Sequence, residues 1–237
     1  TEEVIAMVKQ SRVAGLVLTP PFSEMPEFVE RISELDVKLV RIMSGDLAPD
    51  SLSPCIMVND HDAAYSITEH LIELGHKDIA FIAGGAGHKS TIERLNGYKK
   101  ALADHRMPIN QALIIDGEYS FESGVEGANK LMQGEVKPTA IFSCNDEIAA
   151  GALFSARLMG LDIPRQLSIA GFENSPFSRQ TWPRLTTAHQ PNEQIAENAA
   201  NLLIAQTRNQ GEPNPVGQYT PQLLVRDSTS SPGGTGV

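Results

Sequence analysis

Short apolar runs alternate with longer amphipathic stretches along most of this chain, and this alternation restricts the fold more than any other feature of the sequence. The runs that have the length and composition of strands are 16–18, 38–42, 56–58, 79–82, 113–115, 140–143, 168–171 and 186–189. The stretches long enough for helices are 26–35, 63–74, 91–104, 120–132, 147–159 and 192–209. Alternating strands and helices form βαβ units, so we predict parallel sheets with helices on both faces. Ligands of such sheets bind beyond the carboxyl ends of the strands.

The ends of several predicted helices carry recognisable signals. Ser120 begins one such stretch, directly before Phe121, and can cap its exposed backbone N–H groups. Gly75 and Gly160 each follow an amphipathic stretch, at the position where glycine commonly ends a helix. At the start of the chain, residues 1–11 have the pattern of a helix that leads directly into a strand at 13–18. Because a doubly wound lobe usually opens with a strand, we expect that one strand and one helix are missing from the amino end.

Composition and charge exclude several classes of protein. The chain of 237 residues has no apolar run near the 18 or so residues that a membrane span needs, and its first residues lack the pattern of a signal peptide. The formal net charge of −10 repels phosphate backbones, so we do not expect this segment to bind DNA by itself. Cys55 and Cys144 each lie among apolar residues, which indicates two core thiols rather than a disulfide. These features are typical of a cytoplasmic protein.

Several motifs that suggest cofactor, metal or catalytic sites fail on inspection. The glycine-rich segment GGAGHKST at 84–91 has His88 where a phosphate-binding loop needs glycine directly before Lys-Ser, so we do not expect nucleotide binding. His70, Glu73 and His76 have the residue types of metal ligands, but the predicted helix ends before His76. We interpret His70 as a surface residue and His76 as a cap for backbone carbonyls. No GxSxG or HExxH motif occurs, and we predict no cofactor, no metal and no catalytic site.

Five further segments occur in a fixed order along the chain. They are HLIELGHKDIAFIAG at 70–84, RLNGY at 94–98, PTAIFSCNDEIAAGAL at 138–153, GLDIPRQLSIAGFENSPFSRQTWPRLTTAHQP at 160–191 and LLVRDST at 223–229. In this order they resemble the LacI/GalR family of transcription regulators, and the resemblance covers roughly residues 2–229. It also explains the unusual start, because members of the family open with a helix-turn-helix headpiece, a hinge and the first strand and helix of a lobe.

The resemblance implies the α/β fold of type I periplasmic binding proteins. In that fold two Rossmann-like lobes with parallel sheets are joined by three crossovers, and the ligand lies between the lobes. By resemblance the crossovers fall near 58–60, 189–192 and 218–221. The first, DNA-proximal lobe is then 1–59 plus 192–218, and the second lobe is 60–190 plus 219–229. We expect the Ser/Gly/Pro-rich residues 230–237 to be a disordered tail.

The resemblance also implies a ligand site at the carboxyl ends of the second lobe's strands. The first candidate is Arg94, whose planar guanidinium can donate to vicinal hydroxyls and would stay solvated in an open cleft. The alternative is a surface arginine paired with Glu93 or Glu122. Asn145 follows a strand and either contacts the ligand or caps the next helix. Glu173 follows another strand, where the family usually carries aspartate, and its extra methylene leaves the class of ligand open.

Five further positions match cleft-facing positions of the family. They are Gln190 at a crossover, Thr19 at the end of the first strand, Tyr119 as an aromatic that can stack on a sugar, and His88 and Ser90 at the same mouth. The alternative for each is an ordinary loop residue.

Two other residues in these motifs have structural interpretations. We expect Asp146 to stabilise the fold, and Trp182 to pack in the core or at a dimer interface. The resemblance implies a homodimer to which the second lobe contributes residues around 147–159 and 178–182.

The sequence therefore predicts the effector-sensing and dimerisation domain of a LacI-type repressor, and not an enzyme. A small molecule, expected to be a sugar, changes the relative orientation of the lobes and so controls DNA binding by the headpiece. The main alternative is a periplasmic sugar-binding protein of a transporter, which the P-x-LTT segment and the LLVRDST ending disfavour. An alternative of another class is a nucleotide-dependent enzyme on a Rossmann-like fold, which would need the phosphate loop that fails here.

Overall fold

The computed structural model describes residues 2–11, 13–45, 53–208 and 216–233 of the chain. They are divided between two compact units, the first from Thr1–Asn59 and Pro191–Tyr219 and the second from Asp60–Gln190 and Thr220–Val237. The chain therefore passes from one unit to the other three times. Within the described ranges, no helix is both long enough and apolar enough to cross a membrane.

The elements alternate along the chain as βαβ units require. The helices are α1 (Glu2–Ser11), α2 (Pro26–Ser33), α3 (Asp60–Glu73), α4 (Lys89–Asp104), α5 (Phe121–Gln133), α6 (Asp146–Leu158), α7 (Pro176–Gln180) and α8 (Asn192–Thr207). The strands are β1 (Gly15–Leu18), β2 (Lys38–Ser44), β3 (Cys55–Val58), β4 (Ile79–Ile82), β5 (Ile114–Ile115), β6 (Ala140–Ser143), β7 (Ser168–Ala170), β8 (Thr187–His189), β9 (Val216–Tyr219) and β10 (Gln222–Leu224).

The first unit is built on a parallel sheet of four strands in the order β1-β2-β3-β9. Leu39 of β2 belongs to the same buried cluster as Phe28 of α2 and Ile5 of α1. Its neighbour Val40 points to the opposite face, because side chains alternate along a strand, and is buried with Ile195 of α8. Helices therefore cover both faces of this sheet.

The second unit is built on a parallel sheet in the order β5-β4-β6-β7. Phe81 of β4 packs against Tyr98 of α4, with ring centroids 5.4 Å apart. The next residue, Ile82, packs on the other face against Gly127 of α5. Helices α3 and α4 thus lie on one face, and α5 and α6 on the other. Beyond β7, β8 pairs antiparallel with β10 and is joined to the end of β7 by single backbone bridges.

Helices α5 and α6 pack closely because two glycines allow their backbones to meet. A Cβ atom on Gly124 would overlap with the carbonyl oxygen of Ile148, and one on Gly151 would overlap with the carbonyl oxygen of Phe121. This close approach fixes α6, which follows β6 directly, against α5.

The predicted alternation of strands and helices is confirmed, and the fold is the predicted α/β class with parallel sheets flanked by helices. Ser120 accepts a hydrogen bond from Ser123 N, as a capping residue does, and Gly75 has a φ of 98° at the end of α3. Both cysteines are buried and free, as predicted. Three short elements were not predicted: α7, β9 and β10. The predicted strand at 113–115 is shorter, because Gln111–Leu113 form a 3-10 turn.

The residues after β10 bond to the body of the second unit. Ser228 Oγ donates to the carbonyl oxygen of Ile169 at 2.5 Å, and Ser230 N donates to Ser168 Oγ at 3.0 Å. The buried ring of His76 lies between Thr139 Oγ1 at 2.9 Å and the carbonyl oxygen of Ser230 at 2.9 Å. His76 therefore does bond a carbonyl, as interpreted. The prediction that a disordered tail begins at residue 230 is wrong for Ser230, because the backbone and side chain of this residue are hydrogen-bonded. Residues 234–237 of the predicted tail lie outside the described residues.

Candidate ligand-binding site

The candidate site lies where the sheet of the second unit changes winding direction. The chain leaves β4 towards β5 on one side and reaches β6 on the other, so β4 and β6 are neighbours whose connections run to opposite sides. Such a switch point leaves a crevice outside the carboxyl ends of the two strands, where doubly wound sheets bind ligands. Four loops meet there, after β4, β5, β6 and β7.

Arg94 reaches this edge from the second turn of α4. Its side chain is 7% exposed. Nε donates to Asp60 Oδ1 at 2.7 Å, Nη2 lies 2.7 Å from the same oxygen, and Nη1 donates to the carbonyl oxygen of Cys144 at 2.6 Å. The guanidinium carbon lies 3.8 Å from the centre of the Phe172 ring, a cation–π contact. These contacts fix the plane of the guanidinium, and its remaining terminal N–H groups have no acceptor among the described residues.

The surroundings of Arg94 correct two expectations. The residue is buried rather than solvated, and its partner is Asp60 rather than Glu93 or Glu122. Burial is the largest single influence and would lower the pKa of Arg94, but the Asp60 charge and hydrogen bond, together with Tyr119 and Cys144, outweigh it, and the net direction is upward. Arg94 is therefore a cation at any physiological pH.

Asn145 lies between β6 and α6 and caps the helix. Its Oδ1 accepts a hydrogen bond from Ile148 N at 2.9 Å, which is the capping interaction. The amide nitrogen has no hydrogen-bond acceptor among the described residues. The two interpretations of Asn145 are therefore compatible, since one end of the amide holds the helix and the other can donate to a ligand.

Glu173 follows β7 in a strained backbone conformation, with a φ of 93°. Its backbone is held in place, since Glu173 N donates to Ala188 O at 2.9 Å. The carboxylate is half-buried and makes no hydrogen bond to the described residues. Burial raises the pKa of Glu173 to about 7, although attraction to Arg94 works in the other direction.

The structure brings Arg94, Asn145 and Glu173 to the same edge of the sheet. Arg94 bonds to the carbonyl of Cys144, the residue before Asn145, and packs on Phe172, the residue before Glu173. With Phe172 these residues form one surface, here called the switch-point wall. Its donors and its free carboxylate are what a ligand with several hydroxyl groups requires.

Tyr119 is fixed beside this wall. Its hydroxyl lies 3.1 Å from Ser90 Oγ and 2.9 Å from Thr91 Oγ1, and one face of its ring lies against the backbone of Gly84. The His88 ring meets it edge-on, with centroids 5.0 Å apart. Burial raises the pKa of Tyr119. The structure thus brings Tyr119, Ser90 and His88 together, while stacking of Tyr119 on a sugar stays a prediction.

Two further candidates are Gln190 and Thr19. Gln190 follows β8 and is half-buried in the second unit, whereas Thr19 follows β1 and is exposed in the first unit. Contact of either residue with a ligand stays a prediction.

Asp146 has the structural role that was expected of it. It is fully buried, and its carboxylate accepts hydrogen bonds from Thr187 Oγ1 at 2.7 Å and Ser175 N at 2.7 Å. Burial raises its pKa to about 6, against the opposing effect of these hydrogen bonds. Trp182, in contrast, is 74% exposed, so packing in the core is wrong because the loop that carries it lies on the surface.

Sequence reasoning missed Asp60, Phe172 and Thr91. Asp60 lay before the predicted start of α3, and Phe172 and Thr91 were not among the predicted site residues. Asp60 is an acidic residue at the first position of a helix, where negative charge is favourable. This pattern could have indicated the start of α3, but not the pairing of Asp60 with Arg94.

Comparisons with known proteins agree with this fold. A family model described as a periplasmic binding protein-like domain matches residues 68–229. The HTH-type transcriptional repressor PurR of Actinobacillus pleuropneumoniae serotype 3 (strain JL03) is 37% identical over 226 residues, which cover 94% of this chain and 66% of that protein. This chain therefore spans just under two thirds of the length of that relative.

Two solved structures are similar over nearly the whole chain. A LacI family transcriptional regulator from Mycobacterium smegmatis has a TM-score of 0.84 and 30% identity, and the match covers 98% of this chain and 84% of that one. The complex of the transcriptional regulator CelR with cellobiose has a TM-score of 0.87 and 25% identity, covering 96% and 69%. The chain belongs to the LacI family of transcriptional regulators, and it spans their periplasmic-binding-protein-like domain.

Proposed function

We propose that this chain is the effector-sensing domain of a transcription repressor and that its effector is a small sugar bound at the switch-point wall. The observation that carries the proposal is the juxtaposition of a fixed guanidinium, Arg94, with a carboxylate that has no hydrogen-bond partner among the described residues, Glu173. A hydroxyl group both donates and accepts, so it can bridge such a donor and such an acceptor. The complex of the related CelR with cellobiose supports a sugar.

The remaining candidates complete a polar surface. The amide nitrogen of Asn145 offers a further donor, and the Ser90 and Tyr119 hydroxyls can each donate or accept. Arg94 is held by three neighbours before any ligand arrives, so little side-chain entropy is lost on binding. We include Gln190, Thr19 and His88 as further contacts on the strength of the resemblance alone.

In the full-length protein, we propose that a separate helix-turn-helix headpiece binds operator DNA and that the sugar controls this binding. The relative PurR is named an HTH-type repressor, which supports the first point. Control requires that the sugar bind two conformations with different affinities. We also propose that the domain acts in the cytoplasm as a homodimer and catalyses no reaction. A periplasmic sugar receptor and a nucleotide-dependent enzyme remain the alternatives, and the relatives named above are transcription regulators.

The test is a calorimetric titration of the chain with glucose, ribose, cellobiose, adenine and hypoxanthine, preceded by thermal-shift measurements. A ligand at about 100 times its Kd stabilises the folded state by about 2.7 kcal/mol, which a melting curve resolves. We expect at least one sugar to bind. At pH 8, where the Glu173 carboxyl is ionised, we expect Glu173→Gln to weaken the binding about ten- to hundredfold through loss of a charge-assisted hydrogen bond.

The control is Glu126→Gln, which removes the same charge from an exposed position on α5 and should leave the sugar affinity unchanged. Binding of the purine bases alone, or equal sugar affinity in wild type and Glu173→Gln, would contradict the proposal.

A further inference from the structure

Asp60 is a buried acid next to the switch-point wall. It is the first residue of α3 and is 2% exposed. Its Oδ1 atom lies 2.7 Å from both Nε and Nη2 of Arg94. Because the guanidinium is planar, this pair and the bond from Nη1 to Cys144 O together leave Arg94 only one orientation.

A second carboxylate lies within electrostatic range of the same guanidinium. Glu173 is attracted by Arg94 of α4 and repelled by Asp60 of α3 and by Asp146 and Glu147 of α6. The backbone of His189 on β8 lies beside it, bridged to its own, with the His189 ring bonded to Asn174. Glu173 nevertheless makes no ion pair with Arg94 among the described contacts, since the guanidinium is turned towards Asp60.

We propose that Asp60 is a positioning residue that binds Arg94 and thereby prevents Arg94 from pairing with Glu173. The Glu173 carboxyl and the remaining N–H donors of Arg94 are then both available to the hydroxyls of a ligand. Without Asp60, the buried cation would lose its partner, and an uncompensated buried charge is unfavourable. Arg94 would turn to Glu173, and the two groups would satisfy each other instead of a ligand.

The pairing can be tested without any ligand. The Glu173 carboxyl is titrated by NMR on the chain labelled with ¹³C at glutamate side chains, and its resonance is assigned by its loss in Glu173→Gln. We expect a Glu173 pKa near 7 in the wild type, because an unpaired and half-buried carboxyl holds its proton. In Asp60→Asn the loss of repulsion from Asp60 lowers the pKa of Glu173 by itself, so a fall alone is not decisive. We expect the pKa to drop below the ordinary 4.5, because a new pairing with Arg94 favours the ionised form.

Either of two results would overturn the proposal. One is a wild-type Glu173 pKa at or below the ordinary 4.5, which would mean that the carboxyl is already paired. This measurement does not depend on the folding of any variant. The other is a Glu173 pKa that stays above the ordinary 4.5 in an Asp60→Asn protein that melts cooperatively. The wild-type result stands even where Asp60→Asn fails to fold.

A binding measurement adds a readout that a merely structural role would not produce. The ligand identity rests on the proposed function, and cellobiose is the probe. We expect Asp60→Asn to raise the Kd for cellobiose about tenfold, but to raise it less than about threefold when Glu173→Gln is also present, since no carboxylate then captures Arg94. Equal losses in both backgrounds would show that Asp60 acts only on the fold. If no sugar binds the wild type, the proposed function fails, while the NMR titration still decides the pairing.

Discussion

The Arg94 guanidinium lies between Asp60, Cys144 O and Phe172, where almost no water reaches it. Such a cation contributes to the fold as well as to any ligand contact. A lower ligand affinity of an Arg94 variant would therefore not by itself identify Arg94 as a binding residue. The free energy of unfolding of the same variant has to be measured as well.

We expect Arg94→Ala to lower the free energy of unfolding by about 3–5 kcal/mol, because it leaves the Asp60 carboxylate buried without its cation. Urea denaturation followed by circular dichroism measures the change. The matched control is Arg165→Ala, which removes an arginine that is 65% exposed beside Asp162 and should cost less than about 0.5 kcal/mol. Equal losses in the two variants would mean that the Arg94 pair is not buried.

Glu173 makes stability depend on pH in a direction opposite to that of most acids. Its pKa in the folded chain is about 7 against an ordinary 4.5, so the folded state holds the proton more tightly than the unfolded state. The chain therefore loses stability as pH rises from about 4.5 to about 7. Glu173→Gln removes this effect. We expect the variant to be more stable than wild type by roughly 1–3 kcal/mol at pH 8 and equally stable at pH 4, measured by denaturation at both values. The prediction is contradicted if, at pH 8, the wild type is as stable as Glu173→Gln or more stable than it.

At the scale of single elements, Asn145 shows how a helix end and a ligand donor share one side chain. We expect Asn145→Ala to lower the free energy of unfolding by about 1 kcal/mol, because Ile148 N loses its cap, whereas Asn145→Ser keeps the cap and loses only the amide nitrogen. Ser120→Ala, which removes the equivalent cap of α5, should cost about the same as Asn145→Ala.

Sugar affinity then separates the two roles. It should fall in both Asn145 variants and stay unchanged in Ser120→Ala. Full affinity in Asn145→Ser would limit Asn145 to its structural role.

The predicted elements were those with strong local signals. Apolar strands such as β4 and β6 and the capped helix α5 were predicted at close to their observed bounds, because periodicity, caps and glycine stops all agreed. Strand β9, with the sequence VGQY, has no apolar run, and it exists because it pairs with β3. No local pattern contains that information.

The candidate site was predicted from the family resemblance. Arg94, Asn145 and Glu173 match family positions, and the structure brings them to one edge of the sheet, while their contact with a ligand stays a prediction. The pairing of Arg94 with Asp60 was not found, because it joins residues 34 positions apart on two helices, and only tertiary packing of α3 against α4 creates it. That pairing also explains why the expectation of a solvated arginine was wrong.

At the scale of the whole molecule, the proposed homodimer has a surface that can be tested. Leu158 and Phe154 lie one turn apart on α6 and are 73% and 47% exposed, and Trp182 is 74% exposed. Single exposed apolar residues are common on protein surfaces, but neighbouring ones such as Leu158 and Phe154 are typical of interfaces. We expect sedimentation to show a dimer for wild type and a monomer for Leu158→Asp. Ile109→Asp, at an apolar residue 39% exposed after α4, should remain dimeric. A wild type that is monomeric at high micromolar concentration would contradict the dimer.

The bonds that hold residues 228–230 have a consequence for protein synthesis. Ile169 N donates to Ser228 O. His76 bonds to the carbonyl oxygen of Ser230, which is synthesised 154 residues after it. The first unit is completed late in the same way, because β3 gains β9 as its neighbour only after residue 216. Neither unit can therefore complete its strand pairing until residues 216–224 have been synthesised. Until that point one edge of β3 and one edge of β8 stay unpaired. Such edges attract other strands. In this interval the partly synthesised chain is prone to pair with other chains, and a chaperone that covers these edges would prevent it.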